Sequence, residues 1–226
     1  MKKIFLLIIV ACSFATSFGQ KIAKVSINRD GTFDMFTILL DDATITMGDD
    51  GNIKAWGIEV YSDRIPSMSR LEPFPGRIEY YSSYDNESFR GKVKYIGKTL
   101  ITYYASYDIE SLRGKVKSLG QSNITYYSAY ENDLLKGKVS KIGSTPINWY
   151  TTYDNESFRG KLKTVGSTEL TYYASFDDKL IKGKIKSIDR SMFTYYLSTE
   201  RKEFQGAVKS GSQLQTINGI KYYVTF

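Results

Sequence analysis

Two kinds of side chain recur in this sequence at spacings that could support chemistry: paired carboxylates and a column of tyrosines. The carboxylates are Asp85 and Glu87, Asp108 and Glu110, Glu131 and Asp133, Asp154 and Glu156, then Asp177 and Asp178. Clustered carboxylate oxygens are what calcium prefers, and a pair of carboxylates is what glycoside hydrolysis requires. Neither chemistry is well served here. No turn supplies the glycine and additional oxygens of a dedicated calcium loop. Acid–base work needs two carboxylates in unlike environments, and a turn recurring at one spacing gives every pair the same environment. Asp and Asn also cap turns for purely local reasons. The chain has no histidine, and its one cysteine is Cys12. The usual general base, the Ser–His and Cys–His nucleophiles and every His-ligated metal site are therefore missing. The expectation is a protein that is not an enzyme, with no catalytic residues, no metal site and no cofactor. A polysaccharide-acting enzyme using one carboxylate pair is the alternative.

The tyrosine column is Tyr81, Tyr104, Tyr127, Tyr150, Tyr173 and Tyr196, each the second member of an aromatic pair. Strand parity places it on the same face as the lysines and arginines. A row of rings among polar neighbours suits stacking on a sugar or contact with a protein. The same rings and lysine stems also cover one another on a thin sheet. These six tyrosines are the candidate ligand-binding residues, and a glycan or an envelope protein is the expected partner.

The element that must position them is a 23-residue unit. Its lead glycine recurs at Gly91, Gly114, Gly137, Gly160, Gly183 and Gly206. A fixed period of this length marks an architecture in which each unit buries its apolar face only against its neighbours. Within one unit Ile101, Tyr103, Ala105 and Tyr107 alternate with Thr102, Tyr104 and Ser106 as in a strand. A polar turn from Asp108 to Ser111 follows, then a second strand from Leu112 to Val116 with Gly114 at its centre, where a cross-strand ring would cover the glycine. Gly120 and the polar residues after it make the next turn. Each unit is thus a β-hairpin, and the fold class is all-β, an elongated antiparallel meander. A β-solenoid with one unit per coil is the alternative. It would stack Lys92, Lys115, Lys138, Lys161 and Lys184 as one like-charge ladder, which is destabilising.

The Tyr-Asp-x5-Gly-Lys-Val spacing, the unit length and the hairpin reading resemble MORN-type repeats over about residues 77–205. The resemblance implies an elongated antiparallel sheet.

Around the array, Met1-Lys2-Lys3, an apolar run from Ile4 and small residues up to Gly19 read as a secretory signal over 1–19, cleaved before Gln20. The alternative is a lipoprotein acylated at Cys12, because Ile9-Val10-Ala11-Cys12 is similar to a lipobox. Residues 20–62 contain alternating strands around Asp30-Gly31 and Asp49-Asp50-Gly51 turn signals and are expected to form an N-terminal β cap. Residues 63–76 hold Pro66, Pro73 and Pro75 and read as a connection. Residues 206–226 are a closing unit with an extra Asn218-Gly219 turn. No later stretch approaches the ~20 apolar residues of a membrane span. The formal charge is +7. Two of these charges belong to the leader lysines, which leaves +5, and so modest an excess gives no footprint for nucleic acid. The function expected is that of an exported binding or structural module of a bacterial envelope or secreted complex, a ligand-free spacer being another alternative. The localisation expected is secreted, periplasmic or outer envelope.

Overall fold

Positive-φ glycines and strand-forming Val, Ile, Thr and Tyr alternate along this chain, and the result is nearly all β. The computed structural model describes residues 20–61, 69–128 and 130–225. The leader expected over 1–19, with Cys12, lies outside them, as does the 62–68 stretch that includes Pro66. No helix among the described residues is long and apolar enough to cross a membrane.

Eleven strands run in chain order through one sheet: β6 (Ile78–Tyr80), β7 (Val93–Ile96), β8 (Thr99–Tyr103), β9 (Val116–Leu119), β10 (Ser122–Tyr126), β11 (Val139–Ile142), β12 (Thr145–Trp149), β13 (Leu162–Val165), β14 (Thr168–Tyr172), β15 (Ile185–Ile188) and β16 (Ser191–Met192). Every neighbouring pair is antiparallel, as in β8 on β9, where Ile101 faces Leu119 and Thr102 faces Ser118. This is the meander, and it excludes a solenoid, whose coils would pair in parallel. Tight two-residue turns join half the strands. Gly97, Gly120, Gly143 and Gly166 take positive φ at the first turn position, and Asp189 does so in the last such turn at φ 51°.

The other connections differ from the expected hairpin. The second strand of the unit does not start at Leu112. Glu110–Leu112 is a short 3-10 turn, and the strand opens only at Val116. Gly114 sits between them at φ 74°. Its N–H donates to the Tyr104 carbonyl at 2.8 Å, while the Tyr104 N–H donates to the Lys115 carbonyl at 3.0 Å. The lead glycine therefore closes a loop in the left-handed region that glycine alone visits freely. No cross-strand ring lies over it, because it is not in a strand.

A second sheet has the order β19 (Leu214–Ile217), β20 (Ile220–Val224), β1 (Lys21–Ile27), β2 (Phe33–Leu39), β3 (Thr44–Met47), β4 (Ile53–Tyr61) and β5 (Ser69–Glu72). Here β20 pairs with β1 in parallel, so the two ends of the described chain share one sheet. A small pair, β17 (Thr194–Tyr195) and β18 (Val208–Ser210), continues from the long sheet. The second sheet lies across the face of the meander. Val25, Ile27, Phe36, Ile38, Ile45 and Met47 join Ile101, Leu119, Ile124, Ile142, Ile147, Leu162 and Val165 in one buried cluster. Sheets packed in this way share a core about 10 Å thick.

The turns of the second sheet dock onto lysines of the first. Lys161 Nζ donates to the Asp30 carbonyl at 2.6 Å, and Lys115 Nζ donates to the Asp50 carbonyl at 3.0 Å. Lys138 forms an ion pair with the Asp49 carboxylate. Beside Asp30, Gly31 adopts φ 81°, and a Cβ there would sit 2.4 Å from the Gly183 carbonyl oxygen. Gly31→Ala is therefore expected to cost more than the roughly 1–2 kcal/mol of a left-handed non-glycine residue. Urea denaturation checks this. A loss below about 0.5 kcal/mol, the range of an innocuous surface change, would show that this contact between the sheets is not tight.

Candidate functional site

Each unit contributes three aromatic positions, and the structure gives them three different environments. From the second unit on, the first member of the pair points into the core: Tyr103, Trp149, Tyr172 and Tyr195 are buried and Tyr126 is half-buried, whereas Tyr80 of the first pair is exposed. Its polar atom donates to the carbonyl ten residues earlier. Tyr103 Oη reaches Val93 at 2.9 Å, Tyr126 Oη Val116 at 2.6 Å, Trp149 Nε1 Val139 at 2.8 Å, and Tyr172 Oη Leu162 at 2.8 Å.

The second member is the expected ligand column. Tyr81, Tyr104, Tyr127, Tyr173 and Tyr196 are half-buried and Tyr150 is buried. Five of the hydroxyls donate across two strands to the carbonyl twenty residues later. Tyr81 reaches Ile101 at 2.9 Å, Tyr104 Ile124 at 3.3 Å, Tyr127 Ile147 at 3.0 Å, Tyr150 Leu170 at 2.9 Å, and Tyr173 Phe193 at 2.8 Å. Tyr196 lies against Phe204 with centroids 5.4 Å apart. Lysines cover the rings: Lys94 over Tyr81, Lys117 over Tyr104, Lys163 over Tyr150, Lys186 over Tyr173 and Lys209 over Tyr196, at 5.0–5.7 Å from the centroids. Burial raises the hydroxyls of Tyr81, Tyr104, Tyr127 and Tyr173 above the ordinary tyrosine value and pushes Tyr150 up to about 12. These six rings couple neighbouring units to each other and present little free face to a ligand.

A third aromatic column is the one that reaches solvent. Tyr84, Tyr107, Tyr130, Tyr153 and Phe176 recur at the same 23-residue step and are 85–99% exposed. Alternation carried on from Ile101 puts Tyr107 on the inner face, but β8 ends at Tyr103 after a bulge between Thr102 and Tyr103. Tyr107 is therefore on a loop. The readable signal was an aromatic ring recurring inside a polar turn, where no core needs one.

The loops that carry these rings are closely tied. The first carboxylate of each acidic pair accepts the backbone N–H three residues earlier: Asp85 from Ser82 at 2.6 Å, Asp108 from Ala105 at 2.6 Å, Glu131 from Ser128 at 2.5 Å, Asp154 from Thr151 at 2.6 Å and Asp177 from Ala174 at 2.6 Å. The Ser82 hydrogen bonds hold Asp85 below the usual carboxylate range. Among the described residues no group of three His, Cys, Asp or Glu side chains is placed to hold a metal ion. Arg90, Arg113 and Arg159 brace three of the loops through Nε, which donates to the carbonyls of Asp85, Asp108 and Asp154. Successive loops are stitched together as well. Asn86 Nδ2 donates to Ser106 Oγ at 2.9 Å and Asn86 Oδ1 accepts the Ser106 N–H at 3.0 Å. Asn155 and Ser175 repeat both bonds, and Asn132 reaches Thr152. Equivalent rings lie two strands apart, so they stand roughly 9–10 Å from one another along this edge of the sheet.

Fold and site together define a class: a non-helical array of β units that holds a ladder of solvent-exposed aromatic rings on one edge. No family model matches the chain, and neither a curated protein nor a solved structure is similar to it.

Proposed function

We propose that this protein is an exported, non-catalytic module that binds an extended, uncharged polysaccharide of the envelope or extracellular matrix along the exposed column. The observation that supports this most is the exposure of Tyr84, Tyr107, Tyr130, Tyr153 and Phe176, 85–99% in loops that are each tied by a carboxylate–backbone hydrogen bond. The loops that carry the rings are tied before binding, so contact orders the ring side chains and not the backbone, which lowers the cost of association. Apart from exposed Ile109 and Leu134, polar loop residues separate the rings, so the edge lacks the continuous desolvated patch of a protein hot spot. The spacing of two strands is close to one disaccharide of an extended β-linked chain, and five weak contacts in a row sum through avidity. Exposed Glu87, Glu110, Asp133 and Glu156 run beside exposed Arg90, Arg113, Lys136 and Arg159. That mixture of signs favours a neutral polymer over a polyanion, nucleic acid included. From the MORN resemblance only the array form is carried over.

The test replaces Tyr107, Tyr130 and Tyr153 with alanine together and measures retention on cellulose, chitin, xylan and mixed-linkage glucan. The triple variant should unfold at the wild-type temperature and lose at least ten-fold in retention on whichever polymer the wild type binds. Failure of the wild type to bind any of them, or unchanged retention by the variant, would return the array to a spacer or a protein-binding role.

A further inference from the structure

The second sheet has an outer face, turned away from the meander, and that face is roofed. Strand β4 is long. Its first half pairs with β3 through Ile53 to Gly57, and its second half, Ile58 to Tyr61, leaves β3 and pairs with β5. The β4–β5 hairpin curls back over β1 and β20. Lys24 Nζ on β1 reaches Glu59 Oε1 on β4 at 2.6 Å and Ser69 Oγ on β5 at 2.9 Å, and Lys221 Nζ on β20 reaches Tyr61 Oη at 3.0 Å. Underneath is a cup of about 460 Å³ bounded by β1, β2, β3, β4, β5 and β20.

Its floor is polar where an interior is normally aliphatic. Ser26, Thr37 and Thr46 lie on the outer face of their strands, yet all are buried, at 6%, 1% and 8% exposure. The Thr37 hydroxyl is enclosed without any hydrogen-bond partner. Burying a hydroxyl unpaired costs free energy that an isosteric valine would avoid, and Thr37 is the group on the cup's lining that carries this cost. Each charge in the cup has a counterion, loosest at Asp34, whose carboxylate has Lys54 Nζ 3.8 Å away. Glu59 accepts from Lys24, from Ser69 Oγ at 2.6 Å and from Tyr61 Oη at 2.9 Å. The Arg70 guanidinium pairs with Glu72 at 2.8 Å. An ionic ligand would have to break one of these pairs. A neutral ligand would not, and Met35, Leu71 and the Tyr223 side chain supply apolar flanks.

From the cup's size, its hydroxyl floor with one unpartnered group, its neutralised charges and its apolar flanks, we infer that the space under the β4–β5 hairpin is a binding site for one neutral, hexose-sized polyol. Volumes of this order are typical of small-ligand sites, where a few placed polar groups orient a ligand held between apolar walls. The site is separate from the aromatic edge and does not depend on it.

The experiment titrates the full chain with glucose, galactose and N-acetylglucosamine, observed by saturation-transfer NMR and calorimetry, using wild type, Thr37→Val and Thr37→Ser. At least one sugar should bind wild type. Thr37→Val should weaken that sugar at least five-fold and raise Tm by a few degrees, since it removes an unpartnered polar atom, while Thr37→Ser keeps most of the affinity. The Tyr107, Tyr130 and Tyr153 triple variant should leave this binding unchanged, which separates the site from the polysaccharide edge. Absence of binding by all three sugars, or binding that Thr37→Val does not alter, would overturn the inference and leave a hydrated cavity. A fall in Tm for Thr37→Val would also count against it, because the hydroxyl would then have a partner in the free protein.

Discussion

Alanine at position 149 is expected to destabilise the protein by about 3–5 kcal/mol, the range for removing a fully buried large aromatic side chain. Trp149 is 2% exposed and stands where the two sheets meet. Its ring packs edge-on against Phe33 at 5.2 Å and Phe36 at 6.4 Å, both on β2 of the other sheet. Its Nε1–H donates to the Val139 carbonyl, and the Lys138 ammonium lies 4.4 Å from the ring centroid. Truncation opens a cavity at the sheet interface and leaves a buried carbonyl without its donor. The equivalent units show which replacement should be mild. Tyr103, Tyr126, Tyr172 and Tyr195 each donate to the carbonyl ten residues earlier, so Trp149→Tyr should retain the hydrogen bond and cost under about 1.5 kcal/mol. Phenylalanine should fall between the two. Chemical denaturation of the three variants gives the order, and an alanine variant within about 1 kcal/mol of wild type would show that Trp149 does not join the sheets.

That interface was the part of the fold the sequence could not display. The meander was legible because its causes are local. Gly97 and its equivalents sit two residues wide between strand-forming runs, and Ile101 and Tyr103 alternate with Thr102 at period two. The sheet lying across the meander depends on contacts such as Lys161 with the Asp30 carbonyl, 131 residues apart, and no periodicity encodes a separation of that length. The lysine column was readable as a like-charge problem. Its solution was not, since Lys92, Lys115, Lys161 and Lys184 each donate to the carbonyl of the next lead glycine. The candidate site was half legible for the same reason. Aromatic positions announced themselves through their recurrence, but which column faces water was decided by a bulge before Tyr103 and by Asp108 capping the turn at Ala105. Strand parity overlooks both. The cup over Thr37 left no trace at all, because a threonine in a strand reads identically whether or not a distant hairpin roofs it.

The tyrosines that hold the array together should also make it unfold steeply in alkali. Burial raises the hydroxyls of Tyr103, Tyr126, Tyr172 and Tyr195 above the ordinary value near 10 and pushes Tyr222 up to about 12. Above pH 10 the unfolded chain loses these protons while the folded chain keeps them. The folded state then binds more protons, and stability falls as pH rises. For tyrosines as deeply enclosed as Tyr126 and Tyr172 the loss approaches about 1.4 kcal/mol per pH unit for each group. The lysines act in the opposite sense. Burial lowers Lys92, Lys115, Lys161 and Lys184 from 10.5, so between their folded values and 10.5 the unfolded chain binds more protons and stability rises with pH. That gain ends at the unfolded lysine value, whereas the tyrosine loss continues to 12 and beyond. Stability should therefore hold up to about pH 10 and then fall steeply. The tyrosinate absorbance of the two inner columns should appear together with the loss of strand signal in circular dichroism. Ionisation of all nineteen tyrosines with the strand signal intact would show that the two inner columns are open to water rather than packed between units. Tyr172→Phe separates the contributions further. It removes one titrating group and leaves the Leu162 carbonyl without its donor, so the variant should be less stable at neutral pH and lose less of its remaining stability between pH 10 and 12.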